Sequence, residues 1–205
     1  MIFTEESLYA DAIAQFFFLT EELEKALARH QGDPMVQRVT SLGLSCASGY
    51  ASDLEELNGP KWREKASLSR TSATAAYCKI IAEADAVETV GAAFILYGAL
   101  VVGGGKSTQA KVKKIFPNCN HSLYDVGEDM KELRKKYMRT FTDIGKEWPG
   151  DVSDKLEAQA ERFMALNNTV VLSIRCWGQK ATLAALGAAS VVAAVGVAVY
   201  KMRHN

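Results

Sequence analysis

The chain has 205 residues, enough for one domain with a sizeable core and a short appendage. Its 24 basic and 24 acidic residues cancel, so no net field recruits nucleic acid and no nucleic-acid partner is expected. The four cysteines, at 46, 78, 119 and 176, have neither C-x-x-C nor C-x-x-x-C spacing and follow no secretory signal, which reads as reduced thiols in a cytosol-facing protein.

Thr4 is placed to cap a first helix, with Glu5 and Glu6 in its first turn and Phe3 and Leu8 at the positions of a hydrophobic staple. Leu8, Ala12, Ile13, Phe16, Leu19, Leu23 and Leu27 keep helical spacing until Gly32-Asp33-Pro34 stops them. A second helix is expected to carry Val36, Val39, Leu42, Cys46, Tyr50, Leu54 and Leu57 on one face, ending at Asn58-Gly59-Pro60. After a Ser/Thr-containing connection, Tyr77, Ile80, Ile81 and Ala84 mark a third. A break at Glu83-Ala84-Asp85 leads into a long glycine-bearing helix running to about Phe116.

Pro117-Asn118-Cys119-Asn120 reads as a loop. Val126, Met130, Leu133, Tyr137, Phe141 and Ile144 then recur at three- and four-residue steps until Trp148-Pro149-Gly150, with Lys131, Lys135, Lys136 and Arg139 among them. A last helix begins near Val152 and carries Leu156, Ala160, Phe163, Val170 and Ile174. No strand-like alternation of useful length occurs, so the fold class is all-α.

From Ala181 to Tyr200 no residue is charged, and as a helix this stretch would extend about 30 Å, the thickness of a bilayer's hydrocarbon core. Lys180 bounds it on one side and Lys201, Arg203 and His204 on the other, with Trp177 and Tyr200 at interfacial positions. The expected organisation is a cytosolic helical domain over 1–178, a transmembrane tail anchor over 179–200 and a short basic tail over 201–205. The alternative is an alanine-rich helix packed on the domain.

The segment from Phe94 to Lys106 is apolar yet contains Gly103-Gly104-Gly105, each costing roughly 1 kcal/mol of helix stability relative to alanine. Glycines there let the backbone kink or come within contact distance of a flat ligand or another backbone. Gly105-Lys106-Ser107 has the end of a phosphate-binding loop, but Leu100 occupies the place of its first glycine and no strand precedes it, which excludes a nucleotide site.

Three motifs occur in order: Glu21-Glu22-Leu23-Glu24, then Asn58-Gly59-Pro60-Lys61-Trp62-Arg63-Glu64, then Tyr97 to Gly105 continuing into Lys111-Val112-Lys113-Lys114-Ile115. Finishing in a hydrophobic tail, this pattern resembles the haem (heme) oxygenases anchored in the endoplasmic reticulum, from about Phe3 to the C-terminus. The resemblance implies a helical fold holding haem between a proximal helix, which carries a histidine ligand, and a kinked distal helix. It further implies cofactor contacts at Gly103, Gly104 and Phe94, with Lys131 and Lys135 holding the propionates. Electrons would come from an NADPH-dependent cytochrome reductase, and the products would be biliverdin, carbon monoxide and iron. The endoplasmic reticulum membrane is the implied location, with the mitochondrial outer membrane as the alternative.

The departures point away from catalysis. The family's iron ligand lies on a helix preceding the one that begins near Thr4, and His30, His121 and His204 do not match its position. Leu100 stands where the family has an aspartate that organises waters around iron-bound oxygen, Phe94 replaces a tyrosine, and Ala99 replaces a glycine. No catalytic residue and no axial ligand is therefore assigned. The favoured reading is a membrane-tethered pseudoenzyme binding haem or a related tetrapyrrole; the alternatives are an active haem oxygenase and a tail-anchored helical adaptor.

Overall fold

A computed structural model describes residues 5–127, 129–148 and 150–174. The described residues form helices and connecting turns, with no strand among them: α1 (Glu6–Arg29), α2 (Pro34–Thr40), α3 (Ala47–Asn58), α4 (Trp62–Ser69), α5 (Ser72–Glu83), α6 (Ala86–Val101), α7 (Gly105–Ile115), a 3-10 turn (Ser122–Tyr124) and α8 (Met130–Glu147). A further helix, α9, covers 151–174. No single helix among the described residues is long and apolar enough to cross a membrane, and the stretch expected to be the tail anchor lies outside them.

The longest element, α1, is the axis of the domain and packs against α3, α4, α5 and α6. Leu19, Leu23 and Ala26 on it are fully buried, as the helical spacing predicts. Its polar side chains are tied elsewhere. Buried Gln15 donates to Ser69 O at 3.1 Å and accepts from Thr71 N at 3.0 Å and Thr74 Oγ1 at 2.8 Å, pinning the α4–α5 link against α1.

The single helix expected over Val36–Leu57 is two. Asp33 caps α2 by accepting from Met35 N and Val36 N, and Pro34 sits in the first turn, where its missing N–H costs nothing. After Thr40 the chain leaves the helix, with Gly43 at φ 70°, and restarts at Ala47. Glu24, reaching across from α1, accepts from Cys46 N at 2.7 Å and Ala47 N at 3.0 Å, so donors orphaned at the start of α3 are satisfied by another helix. The Ser/Thr-containing connection also holds a helix, α4. Its Trp62 meets Phe17 edge to face at 5.0 Å, and the Arg63 guanidinium lies over both rings.

The glycine-bearing helix does not run through to Phe116. It opens with a capping box between Asp85 and Glu88, ends at Val101, and resumes as α7 at an angle of 54°. Val102 N and Gly103 N both donate to Gly98 O at 2.9 Å, and Gly104 takes φ 89°. A Cβ on Gly103 would stand 2.6 Å from Ala99 O, and one on Gly105 would stand 2.4 Å from Leu100 O. The bend itself therefore requires two of the three glycines to lie bare against carbonyls of the preceding turn, and the third to adopt a left-handed conformation.

Gly105→Ala is expected to lower stability by about 1–3 kcal/mol, because the clash is with backbone that cannot rotate away. Gly145→Ala, at a position inside α8 where an added Cβ meets nothing within 4 Å, is expected to raise it by up to about 1 kcal/mol. Chemical denaturation of both variants measures the two signs.

Candidate functional site: the groove beside the α6 bend

A groove of about 370 Å³ runs along α6 between α8 and α9. Its α6 wall is Phe94, Ile95, Gly98 and Ala99, continuing through Val102 and Gly103 into the bend; α8 contributes Tyr137 and Met138, and α9 contributes Met164 and Asn167. The wall opposite the two methionines is nearly flat, because Gly98, Ala99 and Gly103 project at most one carbon from the backbone.

Tyr137 fixes the spacing of α6 and α8. Its hydroxyl donates to Phe94 O, and a Cβ on Gly98 would come 2.9 Å from that hydroxyl, so Gly98 is what admits the phenol. Burial pushes the Tyr137 phenol well above its ordinary range, and it stays a protonated donor. The Phe94 ring stacks on Tyr137 with centroids 6.2 Å apart and meets the edge of Phe141 at 5.0 Å. One turn earlier on α8, Arg134 Nε donates to Val101 O at 3.3 Å, occupying a carbonyl at the C-terminal end of α6.

Most of the groove is apolar, and Met138 and Met164 are 47% and 50% exposed at its mouth. Asn167 is the exception. Its Oδ1 is buried and has no hydrogen-bond partner, an uncommon state for a buried amide oxygen and one that a ligand donor would relieve.

Among the residues singled out from sequence, Phe94 and Gly103 line the groove together. Gly104 sits in the bend as the residue before α7, where its Cβ position faces Ser107 Oγ at 3.1 Å. Lys131 and Lys135 are exposed on the first two turns of α8. Steps of four and three residues put Lys131, Lys135 and Met138 on one side of that helix; of the three only Met138 lines the groove. Lys135 pairs with Glu132 at 2.7 Å in the open, a contact easily exchanged for a ligand anion.

Neither described histidine borders the groove. His30 ends α1, with Nε2 2.9 Å from Ala84 O. His121 is buried behind the opposite face of α6, with Nε2 2.9 Å from Phe116 O and Nδ1 3.1 Å from the Tyr9 hydroxyl. Leu100 also faces away. It lines a separate cavity of about 230 Å³, whose apolar wall includes Ile13 and Phe16 and whose hydroxyls come from Tyr9, Tyr50 and Tyr124. Burial raises the Tyr9 and Tyr50 phenols above their ordinary range, which keeps them protonated.

Sequence reasoning missed Gly98, Met138, Met164 and Asn167. Asn167-Asn168, a polar pair within an apolar helical run, was a visible signal; the methionines gave none, since on a periodic helix they read as core.

Comparison with known proteins places this geometry. A family model described as heme oxygenase matches residues 3–171. Heme oxygenase 1 of Nostoc sp. (strain PCC 7120) is 24% identical over 147 residues, covering 68% of this chain and 61% of that protein. The chain thus spans about three fifths of the length of that curated relative. The crystal structure of heme oxygenase 2 from Chlamydomonas reinhardtii without heme superposes with a TM-score of 0.73 at 23% identity, covering 84% of this chain and 85% of that one. Heme oxygenase-2 from Synechocystis sp. PCC 6803, in complex with heme and NO, gives 0.72 at 19% identity, covering 87% and 75%. A chain whose described residues are helical and bend at the glycines after α6, matched by the family model over nearly all of that length, belongs to the heme oxygenase family.

Proposed function

We propose that the groove beside the α6 bend binds haem or a closely related tetrapyrrole, and that this chain's own described residues leave oxidative cleavage impaired. The observation that carries the binding half is the unpartnered Asn167 Oδ1 at a wall of otherwise bare backbone. In this reading a flat apolar ring lies along the α6 wall at Ala99 and Gly103 with its edges flanked by Met138 and Met164, and the exposed Lys131 and Lys135 of α8 are the cations available to its carboxylates. Heme oxygenase-2 from Synechocystis, which shares this fold and is in complex with heme and NO, supports the same ligand class.

Haem, when bound, supplies the iron at which oxygen would be activated. For that chemistry a protein would supply a side chain to ligate the iron and polar groups to hydrogen-bond the oxygen. Among the described residues no imidazole, carboxylate or thiol lines the groove, and Leu100 is turned into the cavity behind α6. What remains is positioning: Tyr137 sets the groove's width, and the basic face of α8 sets the orientation of an anionic edge. The stretch 181–200 is proposed to tether this domain to the endoplasmic reticulum membrane, on the strength of its length and lack of charge.

Titration of the full chain in detergent micelles with hemin is expected to give a saturable Soret shift. Ala99→Phe, an exposed helical position on the groove wall, should weaken it at least roughly tenfold, equivalent to about 1.4 kcal/mol. The Lys131→Glu, Lys135→Glu double variant should weaken binding at low salt, and the deficit should shrink as salt rises. With NADPH and a cytochrome reductase, no biliverdin is expected; turnover would establish the active-enzyme reading instead, and absence of saturable binding would leave the adaptor.

Alkaline extraction of cell membranes tests the tether. The full chain should stay in the pellet and a chain ending at residue 178 should move to the supernatant, whereas extraction of both would remove the anchor. Imaging of a tagged full chain separates the endoplasmic reticulum from the mitochondrial outer membrane.

A further inference from the structure

We propose that Asp53, Cys119 and His121, none of which lines the groove, form a buried structural site for one zinc-type divalent cation, independent of tetrapyrrole binding. The three side chains come from two elements, α3 and the loop after α7, and all are buried. One donor atom from each lies within 4.8 Å of the others. Sulfur, imidazole nitrogen and carboxylate oxygen are the donors that zinc takes, with bonds of roughly 2.0–2.3 Å that set ligand atoms roughly 3.3–3.8 Å apart in a tetrahedron. Side-chain rotations moving the donors by on the order of 1 Å close that gap.

What favours a cation over a merely satisfied polar cluster is how the donors are held from behind. His121 Nε2 faces the Phe116 carbonyl at 2.9 Å, and a carbonyl can only accept, so the proton sits on Nε2 and the lone pair on Nδ1. A metal-binding histidine is ordinarily oriented by a backbone carbonyl on its other nitrogen in this way. Asp53 is oriented likewise, its oxygens accepting from Ser122 N at 2.5 Å and Leu123 N at 3.0 Å, which leaves further lone pairs on both. Asn120, between the other two donors, is held by Glu56 through its backbone N–H and its amide, both at 2.7 Å. His121 also adopts φ 57°, the one non-glycine residue with positive φ among those described, and this turns its ring inward beside Cys119.

The Tyr9 hydroxyl, 3.1 Å from His121 Nδ1 and kept protonated by burial, donates to that nitrogen; with a cation on Nδ1 it would turn to a water completing the tetrahedron. Binding replaces the S–H bond of Cys119 by an S–Zn bond and releases that proton to solvent. The cation would clamp the loop after α7 onto α3. Spacing alone hid the site, because Asp53 lies far from the Cys119-x-His121 pair in the chain.

The full chain, purified in detergent without chelator, is expected to carry about one zinc per chain by elemental mass spectrometry. Cys119→Ser and His121→Gln should each reduce this at least tenfold, while Cys78→Ser should leave it intact. Tyr9→Phe should keep the metal but weaken its affinity by roughly 10- to 100-fold. Cobalt loaded into the unmutated chain should show a thiolate charge-transfer band that Cys119→Ser removes. The proposal is overturned if the unmutated chain, refolded with zinc, holds none and gives no such band with cobalt. It is overturned equally if the Cys119 and His121 variants keep both. Hemin enters none of these measurements, so failure here leaves the groove's ligand untouched, and failure there leaves this site untouched.

Discussion

Two carbonyl oxygens, those of Ala99 and Leu100, lie where the Cβ atoms of Gly103 and Gly105 would be. That contact is the steric condition for turning a buried helix through 54° without losing its packing on α1. Any side chain at either glycine would push the following turn away from those carbonyls and shift α7 against α6 and the 3-10 turn on which it packs. Because the bend holds, the two faces of α6 look into different spaces: Gly98 and Gly103 toward the groove, Leu100 toward the tyrosine-rimmed cavity, with Ala99 on the edge that borders both.

The division of polar groups follows from this geometry. Hydroxyls, the buried His121 and the buried Asp53 collect behind α6, where α1, α3 and the loop after α7 meet. The groove side receives aromatic rings, methionines and a single amide. Charge stays out of the groove lining, and on α8 Lys131 and Lys135 are exposed to solvent. The tetrapyrrole proposed above, apolar in its body and anionic at one edge, is a guest that such a division would suit.

Helical class and the course of α1 were legible because Leu19, Leu23 and Leu27 keep a clean period on the most buried element. The division between α2 and α3 was not, since Leu42 and Cys46 are buried in a non-helical link and continue the apolar rhythm across it. What breaks the helix there is Gly43 together with Glu24 of α1, a partner 22 and 23 residues away from the amides it satisfies. α4 stayed hidden because its stability comes from Trp62 against Phe17 and from the Gln15 clamp, both contacts with another helix. At the groove, Phe94 and Gly103 lie within the segment that composition had already marked. Met138, Met164 and Asn167 reach it only through tertiary packing of α8 and α9, and His121 is buried by a tyrosine 112 residues distant.

The bond from the Tyr137 hydroxyl to the Phe94 carbonyl joins two walls of the groove rather than two parts of one wall. Separating α8 from α6 would strand a phenol in an apolar setting, which is costly in a way that sliding methionine side chains is not. The slot is therefore stiff across its width and compliant at its mouth. For the proposed tetrapyrrole, thickness is then fixed in advance by the α6–α8 spacing, whereas outline is left to the methionines.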